Sequence, residues 1–595
     1  MRSTIRKSLL GLTSLLTAMI VFLSCQKDID ETITQPGQPT DFTVKVTSGK
    51  ISGFVTDENN SPVSNTPVTV GSANTTTNEY GYFEVKNAQV GKVAGTVVVN
   101  KPGYFKGIRT FIAKEGGSVS VRIKLIPKNI AGTIDASAGG TVNVSGGMTI
   151  AFPAGAIMNA TTNAPYSGTV NVAAFWINPA ANDIGLIMPG DLRGINETGT
   201  VKLLTTYGMV AVELTGTSGE ALQIASGKKA TLTMPIPSQI SGTAPSSIPL
   251  WYFDETKGLW KQEGSAVKTG NAYVGEVSHF SFWNCDVPND YVQLSLTVKD
   301  AAGNPISGAF VRLTANAAIN NVAYGFTDSS GYVQGAVPPN ASILMEIYGG
   351  YFNCGTPGFS QTISTGNTDL ALGDVTISNN TNVATITGNV VNCSSTAVTD
   401  GSVVVLENGW YSVYPVNSDG SFSISRMLCT ASTAISLIAE DHTAGEQSAP
   451  QPTTITGGIN AIGTLQACGT STAQTITYAV DGIPPITLTS PTDSVSQTGN
   501  GSLSSYGVSG NSSGFANNIY FLFSNVGMGV GTVQTLQSIY VSSLSQSLNI
   551  LTPNCVNITE YGAIGEFIAG NFTTTVNDGT ADHTISVSFR VRRVF

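Results

Sequence analysis

From Gly49 onward the chain alternates apolar and polar residues in short runs, each closed by Gly, Pro, Asn or Asp. The first block reads Ile51-Ser-Gly53-Phe-Val-Thr-Asp57, Pro62-Val63, Pro67-Val-Thr-Val70 and Gly81-Tyr-Phe83-Glu-Val85. A period of two turns alternate side chains to opposite faces of a strand, and turn residues every ~8 to 12 positions fold such strands into an antiparallel sandwich. The pattern recurs. Leu296-Thr-Val-Lys-Asp300, Gly303-Asn-Pro305 and Thr327-Asp328-Ser-Ser-Gly331-Tyr332 repeat it, as do Ile386-Thr-Gly388-Asn-Val390 and Asp419-Gly420-Ser-Phe422. Self-similarity of this kind predicts one supersecondary design used three times. The expected fold class is all-β, a series of antiparallel β-sandwich modules. Asp bonds the backbone two residues on and Gly accepts positive φ, so both have turn-forming reasons to stand where they do. A calcium role for Asp57, Asp300 or Asp328 is a second reading, without the dense Asp-x-Asp-x-Asp ladder that would support it.

The N-terminus has another pattern. Arg2, Arg6 and Lys7 precede an apolar run from Leu9 to Leu23, which ends in Phe22-Leu23-Ser24-Cys25. The run falls short of the roughly 20 residues a spanning helix needs and reads as an export signal. It resembles the lipobox of bacterial lipoproteins, which implies cleavage after Ser24 and diacylation (palmitate-type chains) on Cys25. Lys27, Asp28, Asp30 and Glu31 then resemble the export signal of Bacteroidota-type surface lipoproteins, which implies an outer-membrane protein facing the cell exterior. In a second reading these charges only solvate a tether. Residues 25–47 carry Thr, Gln, Pro and Gly without an apolar period and are expected to be a flexible tether after a signal peptide over 1–24.

At 595 residues the chain is long enough for four to six ordinary domains. Charged residues are only 11% of it, while Gly alone numbers 65. Helix surfaces are usually wetted by Lys, Glu and Arg, so their scarcity points again to sheets wetted by hydroxyl and amide groups. The net charge of −10 argues against a nucleic-acid partner, which needs clustered cations.

Six cysteines remain beyond Cys25: Cys285, Cys354, Cys393, Cys429, Cys468 and Cys555. None stands in a Cys-x-x-Cys pair and the three histidines are far apart, so no metal site is expected. An exported chain can oxidise them, and Cys393, Cys429 and Cys468 fall in one segment as disulfide candidates, with the pairing left open by sequence.

The division into segments carries further resemblances. Residues 48–128, 291–377 and 378–468 resemble the carboxypeptidase regulatory-like domain on Gly53, Asp57 and Gly81-Tyr82-Phe83 and their later counterparts. That implies an Ig-like or transthyretin-like sandwich of carbohydrate-binding-like fold. Residues 129–290 differ. Ala138-Gly-Gly-Thr-Val-Asn-Val144 and Ile150-Ala-Phe-Pro153-Ala-Gly155 resemble the β-sandwich module of ankyrins and netrin receptors. Met188-Pro-Gly-Asp191, Ile248-Pro-Leu-Trp251-Tyr-Phe-Asp254, Gly258-Leu-Trp260 and His279-Phe-Ser-Phe-Trp283 are similar to the extracellular part of astroprincin-like proteins. That resemblance implies a non-catalytic extracellular role. Residues 469–595, with strands such as Asn518-Ile-Tyr-Phe-Leu-Phe-Ser524, resemble the closing β domain of surface lipoproteins.

Little in the chain points to catalysis. Gly510-Asn-Ser512-Ser-Gly514 fits a hydrolase nucleophile pattern, but no helix pattern comes after it and only His583 lies in the same segment. Gly527-Met-Gly-Val-Gly531 lacks the βαβ setting of a dinucleotide site, so no cofactor is expected. Asp254 and Glu255 read as turn residues rather than half of a glycosidase pair. Trp251, Trp260 and Trp283 are candidates for stacking on a sugar face, although aromatic residues alternating along strands more often form core. The leading expectation is a non-enzymatic lipoprotein whose sandwiches form a stalk and present a surface for an extracellular protein or glycan. Carbohydrate capture is the alternative, and a serine hydrolase using Ser512 the remote one.

Overall fold

The computed structural model describes residues 41–594 except 317–321, 350–355, 378–382, 408–409, 491, 499–504, 513–515 and 545–547. Among the described residues the helical elements are one turn at Ile184–Ile187 and a 3₁₀ turn at Ser241–Thr243, and the rest of the regular structure is strand. The protein is an all-β chain of sandwiches in series. No described helix is long and apolar enough to cross a membrane.

The three repeats share one topology. In the first module, strand Lys45–Thr56 pairs antiparallel with Tyr82–Gly91 and parallel with Ser118–Lys124. In the third, Val292–Asp300 pairs the same way with Tyr332–Val337 and Leu370–Ile377. In the fourth, Val383–Asn392 does so with Ser421–Met427 and Gly458–Ala467. A second sheet faces each of these, as Ala73–Thr76, Pro67–Val70, Gly95–Val99 and Gly107–Phe111 do in the first module. Period-two patterning drives the closure: Ile51 and Val55 point inward at 0% exposure and meet Phe83, Val97 and Ile123.

The motif residues hold the turns. Asp57 accepts the N–H groups of Asn59 and Ser61, Asp300 those of Ala302 and Asn304, and Asn392 those of Ser394 and Thr396. Asp328 likewise accepts from Ser330 and Tyr332. Gly81, Gly331 and Gly420 sit at φ of 71°, 76° and 80°. A Cβ there would come within 2.3, 2.4 and 2.7 Å of the carbonyl oxygens of Val55, Val298 and Val390. Only glycine fits both the backbone angle and the approach.

The second module is a 13-stranded assembly over residues 130–289, centred on the 16-residue strand Val201–Gly216. The fifth is a 10-stranded assembly from Thr475–Val480 to Asp582–Arg592.

Two expectations need correction. The first strand begins at Lys45, where Lys45, Val46 and Thr47 pair with Gly91, Val90 and Gln89, so the end of the supposed tether is sheet. Nor do the modules extend as a stalk. Ser118–Lys124 of the first module meets Val322–Phe326 of the third through Ser120 and Phe326, joining seven strands into one sheet. Tyr80 of the first module packs in one cluster with Tyr411 and Ile438 of the fourth and Val594 of the fifth. The first module is thus a hub. Apolar and charged groups on its flanks bury against the later modules, and an extended chain would leave them wet.

Candidate functional site: a cavity where three modules meet

Arg109 lies on strand Gly107–Phe111, where all five residues are buried. Its Nε donates to the carbonyl of Arg122 at 3.2 Å, and its Nη1 donates to the carbonyls of Met188 and Gly190 at 3.1 and 2.9 Å. Met188-Pro-Gly-Asp191 of the second module therefore clasps an arginine of the first. Gly190 adopts φ 66°, and a Cβ there would strike Phe253 at 2.3 Å. Asp191 in turn holds Arg193, whose Nη2 lies 2.7 Å from Oδ2 and whose Nη1 donates to Val93 at 2.7 Å. Arg122, on Ser118–Lys124, places its guanidinium 4.9 Å from the Phe54 ring and 5.0 Å from that of Phe326 in the third module. Gln334 of the third module donates to the Ile112 carbonyl at 2.9 Å.

These groups surround a cavity of about 310 Å³. Its walls carry Arg109, Arg122 and Arg193 with Asp191, and apolar side chains including Leu204, Leu313, Tyr324, Val333 and Ile343. Burial pushes Arg109 down to about 10 and Arg122 to about 9, because a guanidinium shed of water loses hydration that supports its charge. Both remain cations at neutral pH.

The stacking candidates lie elsewhere and are core. Trp251, Trp260 and Trp283 are each 0% exposed. Trp251 and Trp260 join Phe105 and Ile108 of the first module in the cluster that seals the first two modules together, and Trp283 fills the sandwich interior of the second. Their indole N–H groups donate to the carbonyls of Asp286, Asp191 and His279 at 3.1, 2.9 and 2.9 Å. No face of any of the three is open to a sugar ring.

The catalytic candidates resolve into architecture as well. Ser512 comes directly after strand Ser505–Asn511 and accepts the Asn517 N–H at 2.8 Å, and the chain returns as strand Asn518–Ser524 rather than as a helix. His583 has Nδ1 at 2.7 Å from Asp481 and Nε2 at 3.4 Å from Asp578. Asp254 accepts the N–H groups of Thr256 and Lys257 in a turn, and Glu255 pairs with Lys106 at 2.6 Å. Sequence reading did not find Ser402, His442 and Asp400, which lie together: Ser402 Oγ is 3.3 Å from His442 Nε2, and His442 Nδ1 is 3.5 Å from Asp400. The serine is 1% exposed and donates instead to Glu440 at 2.9 Å, so its hydroxyl is committed to a buried carboxylate.

Cys393 pairs with Cys468 across 75 positions, and Cys429 is also disulfide-bonded. Cys285 is free and buried and Cys555 free and exposed. Cys25, Lys27, Asp28, Asp30 and Glu31 lie outside the described residues. Arg109 and Arg122 carried one sequence signal: each stands in a strand pattern of apolar and hydroxyl residues, where a cation demands a partner.

No family model matches the chain. A stretch of 120 residues, 20% of the chain, is 29% identical to cartilage intermediate layer protein 2 of Homo sapiens, and the match spans 10% of that curated relative's length. Among solved structures, a mutant form of the shaft pilin SpaA of Lactobacillus rhamnosus GG aligns with 30% of this chain and 99% of its own, at 9% identity and TM-score 0.18. The major pilin subunit BcpA of Bacillus cereus aligns with 56% of this chain and 99% of its own, at 12% identity and TM-score 0.12. Likenesses this weak carry no argument about function.

Proposed function

We propose that the chain is a non-enzymatic, lipid-anchored surface protein whose sandwiches pack around the first module into a scaffold that presents binding surfaces outside the cell. One observation carries the scaffold reading: ionisable groups that chemistry would need are engaged in ties between modules, deeply buried at Arg592 and partly exposed at the lysine pairs. Arg592 of the fifth module reaches Glu79 of the first and Glu440 of the fourth, and Lys106, Lys124 and Lys128 of the first pair with Glu255, Asp183 and Glu213 of the second. The anchoring half rests on Phe22-Leu23-Ser24-Cys25 and the charges after it. Cys25→Ala is the test, read by fractionation and by protease shaving of intact cells with an antibody to the fifth module. The proposal expects the parent in the membrane fraction and stripped by protease, and the variant released from the membrane. A parent that fractionates as soluble, or that survives shaving of cells whose other surface proteins are removed, contradicts it.

A further inference from the structure

We propose that the cavity between the first three modules is a docking cleft for an extended peptide segment of a protein partner, one that carries a branched apolar residue between small polar ones. Its walls are strand edges. Tyr332–Val337 lines it at every position, and so does Val322–Phe326, whereas a wall made by a strand's face takes every second residue. Each residue from Val322 to Phe326 and from Tyr332 to Ala336 is partly exposed, without the alternation that Val292–Asp300 shows, so the groove between them is open to solvent.

Tyr332–Val337 is the outer strand of its sheet and pairs on one side with Val292–Asp300. Val298 donates its N–H to the Gly331 carbonyl at 2.8 Å, and bonded positions alternate along an antiparallel ladder. Val333, Gly335 and Val337 therefore bond to that neighbour, and Gln334 and Ala336 turn their backbone N–H and C=O groups to the open side. Among the described residues no group of the protein takes these up. Two such rungs lie about 7 Å apart, the repeat of an extended chain, and a peptide strand answers both at once. On the first-module wall Ser118 and Ser120 add hydroxyl groups. Gly335 shares its strand face with Val333 and Val337, and a Cβ on it would meet nothing within 4 Å. Leu313 and Ile343 line the same cavity, so one side chain of the peptide finds an apolar seat there. This deepens the scaffold reading by naming the partner class of one surface. The anchoring half of that reading is judged by fractionation, so either can fail alone.

Calorimetric titration of the full chain with the blocked peptide acetyl-Ser-Thr-Val-Thr-Ser-amide tests the cleft. One saturable site with a Kd below ~1 mM is expected. The same peptide N-methylated at its three central amides cannot donate to a strand edge and should bind at least ~10-fold more weakly. In Ala336→Pro the ring removes an N–H that the fold leaves unbonded, so the variant should melt at the parent temperature and also bind the peptide at least ~10-fold more weakly. The N-methylated peptide reads the same bonds without altering the protein. No saturable binding by ~1 mM peptide overturns the proposal. So does equal affinity for the two peptides in the parent, or undiminished binding in Ala336→Pro.

Discussion

Arg592, on the final strand, donates its Nη2 to Oε1 of Glu79 at 2.9 Å across 513 positions of sequence. The same nitrogen lies 3.4 Å from Glu440, and its guanidinium carbon lies 5.0 Å from the Tyr80 ring, while Tyr80 donates its hydroxyl to Glu440 at 2.6 Å. Three modules therefore share one buried ion cluster, in which Arg592 is 1% exposed.

Removing one member of such a cluster strands the others. Arg592→Ala leaves Glu440, whose side chain is 7% exposed, without its buried cation and with only the half-exposed His442 beside it, and breaking a buried pair typically costs about 3–5 kcal/mol. Urea unfolding monitored by tyrosine and tryptophan fluorescence should show the loss as a lower midpoint. An unchanged midpoint would mean that the cluster bears no load.

The three turn glycines make a matched set. Gly81→Ala, Gly331→Ala and Gly420→Ala each force a side chain into the left-handed region and against a carbonyl, at a cost of at least ~1–2 kcal/mol apiece. Gly103 has φ 81° and open space around a Cβ. Gly103→Asn should be nearly neutral, since Asn tolerates that region. Thermal melts of the four variants decide whether approach to the carbonyl, and not φ alone, sets the cost.

The repeats were legible because their constraint is local. An Asp or Asn that bonds two residues on and a Gly at positive φ write themselves into sequence, and period-two patterning marks the strands between them. The aromatic set of the second module showed its strand spacing but not its destination. Trp251 and Trp260 became the seal against Phe105 and Ile108, a contact that no periodicity encodes. Arg109 and Arg592 were missed for the same reason. Their partners lie 79 and 513 positions away, and only the folding back of the modules brings them near.

The Cys393–Cys468 bond closes a loop of 75 residues and ties the ends of two parallel neighbouring strands in the fourth module. Constraint of the unfolded chain over that span stabilises by at most about 4.5 kcal/mol. The double variant Cys393→Ser with Cys468→Ser should lose protection of residues 383–392 and 458–467 against proteolysis. The first and second modules should be unaffected.

The same junction responds to pH. Hydrogen bonding to Glu440 holds His442 above its ordinary 6.5. Burial alone would raise Glu440, but His442, Arg592 and Tyr80 together keep it below its ordinary 4.5. A raised imidazolium stabilises the fold fully below ~6.5 and loses that contribution as pH climbs through its folded value; a lowered carboxyl contributes above ~4.5 and loses it as pH falls. The melting temperature should therefore be highest between these limits. His442→Gln should flatten the alkaline decline, by a small amount because the ring is half exposed, and also soften the acid decline, since His442 is one of the groups that hold Glu440 down.

The claim that the modules close on the first as a hub is tested most directly by hydrogen exchange on the full-length Arg592→Ala variant. Amide protection should fall together around Tyr80, around Tyr411 and Glu440, and along Asp582–Arg592, with the second module unchanged. A loss confined to the fifth module, with the Tyr80 segment as protected as in the parent, would contradict it.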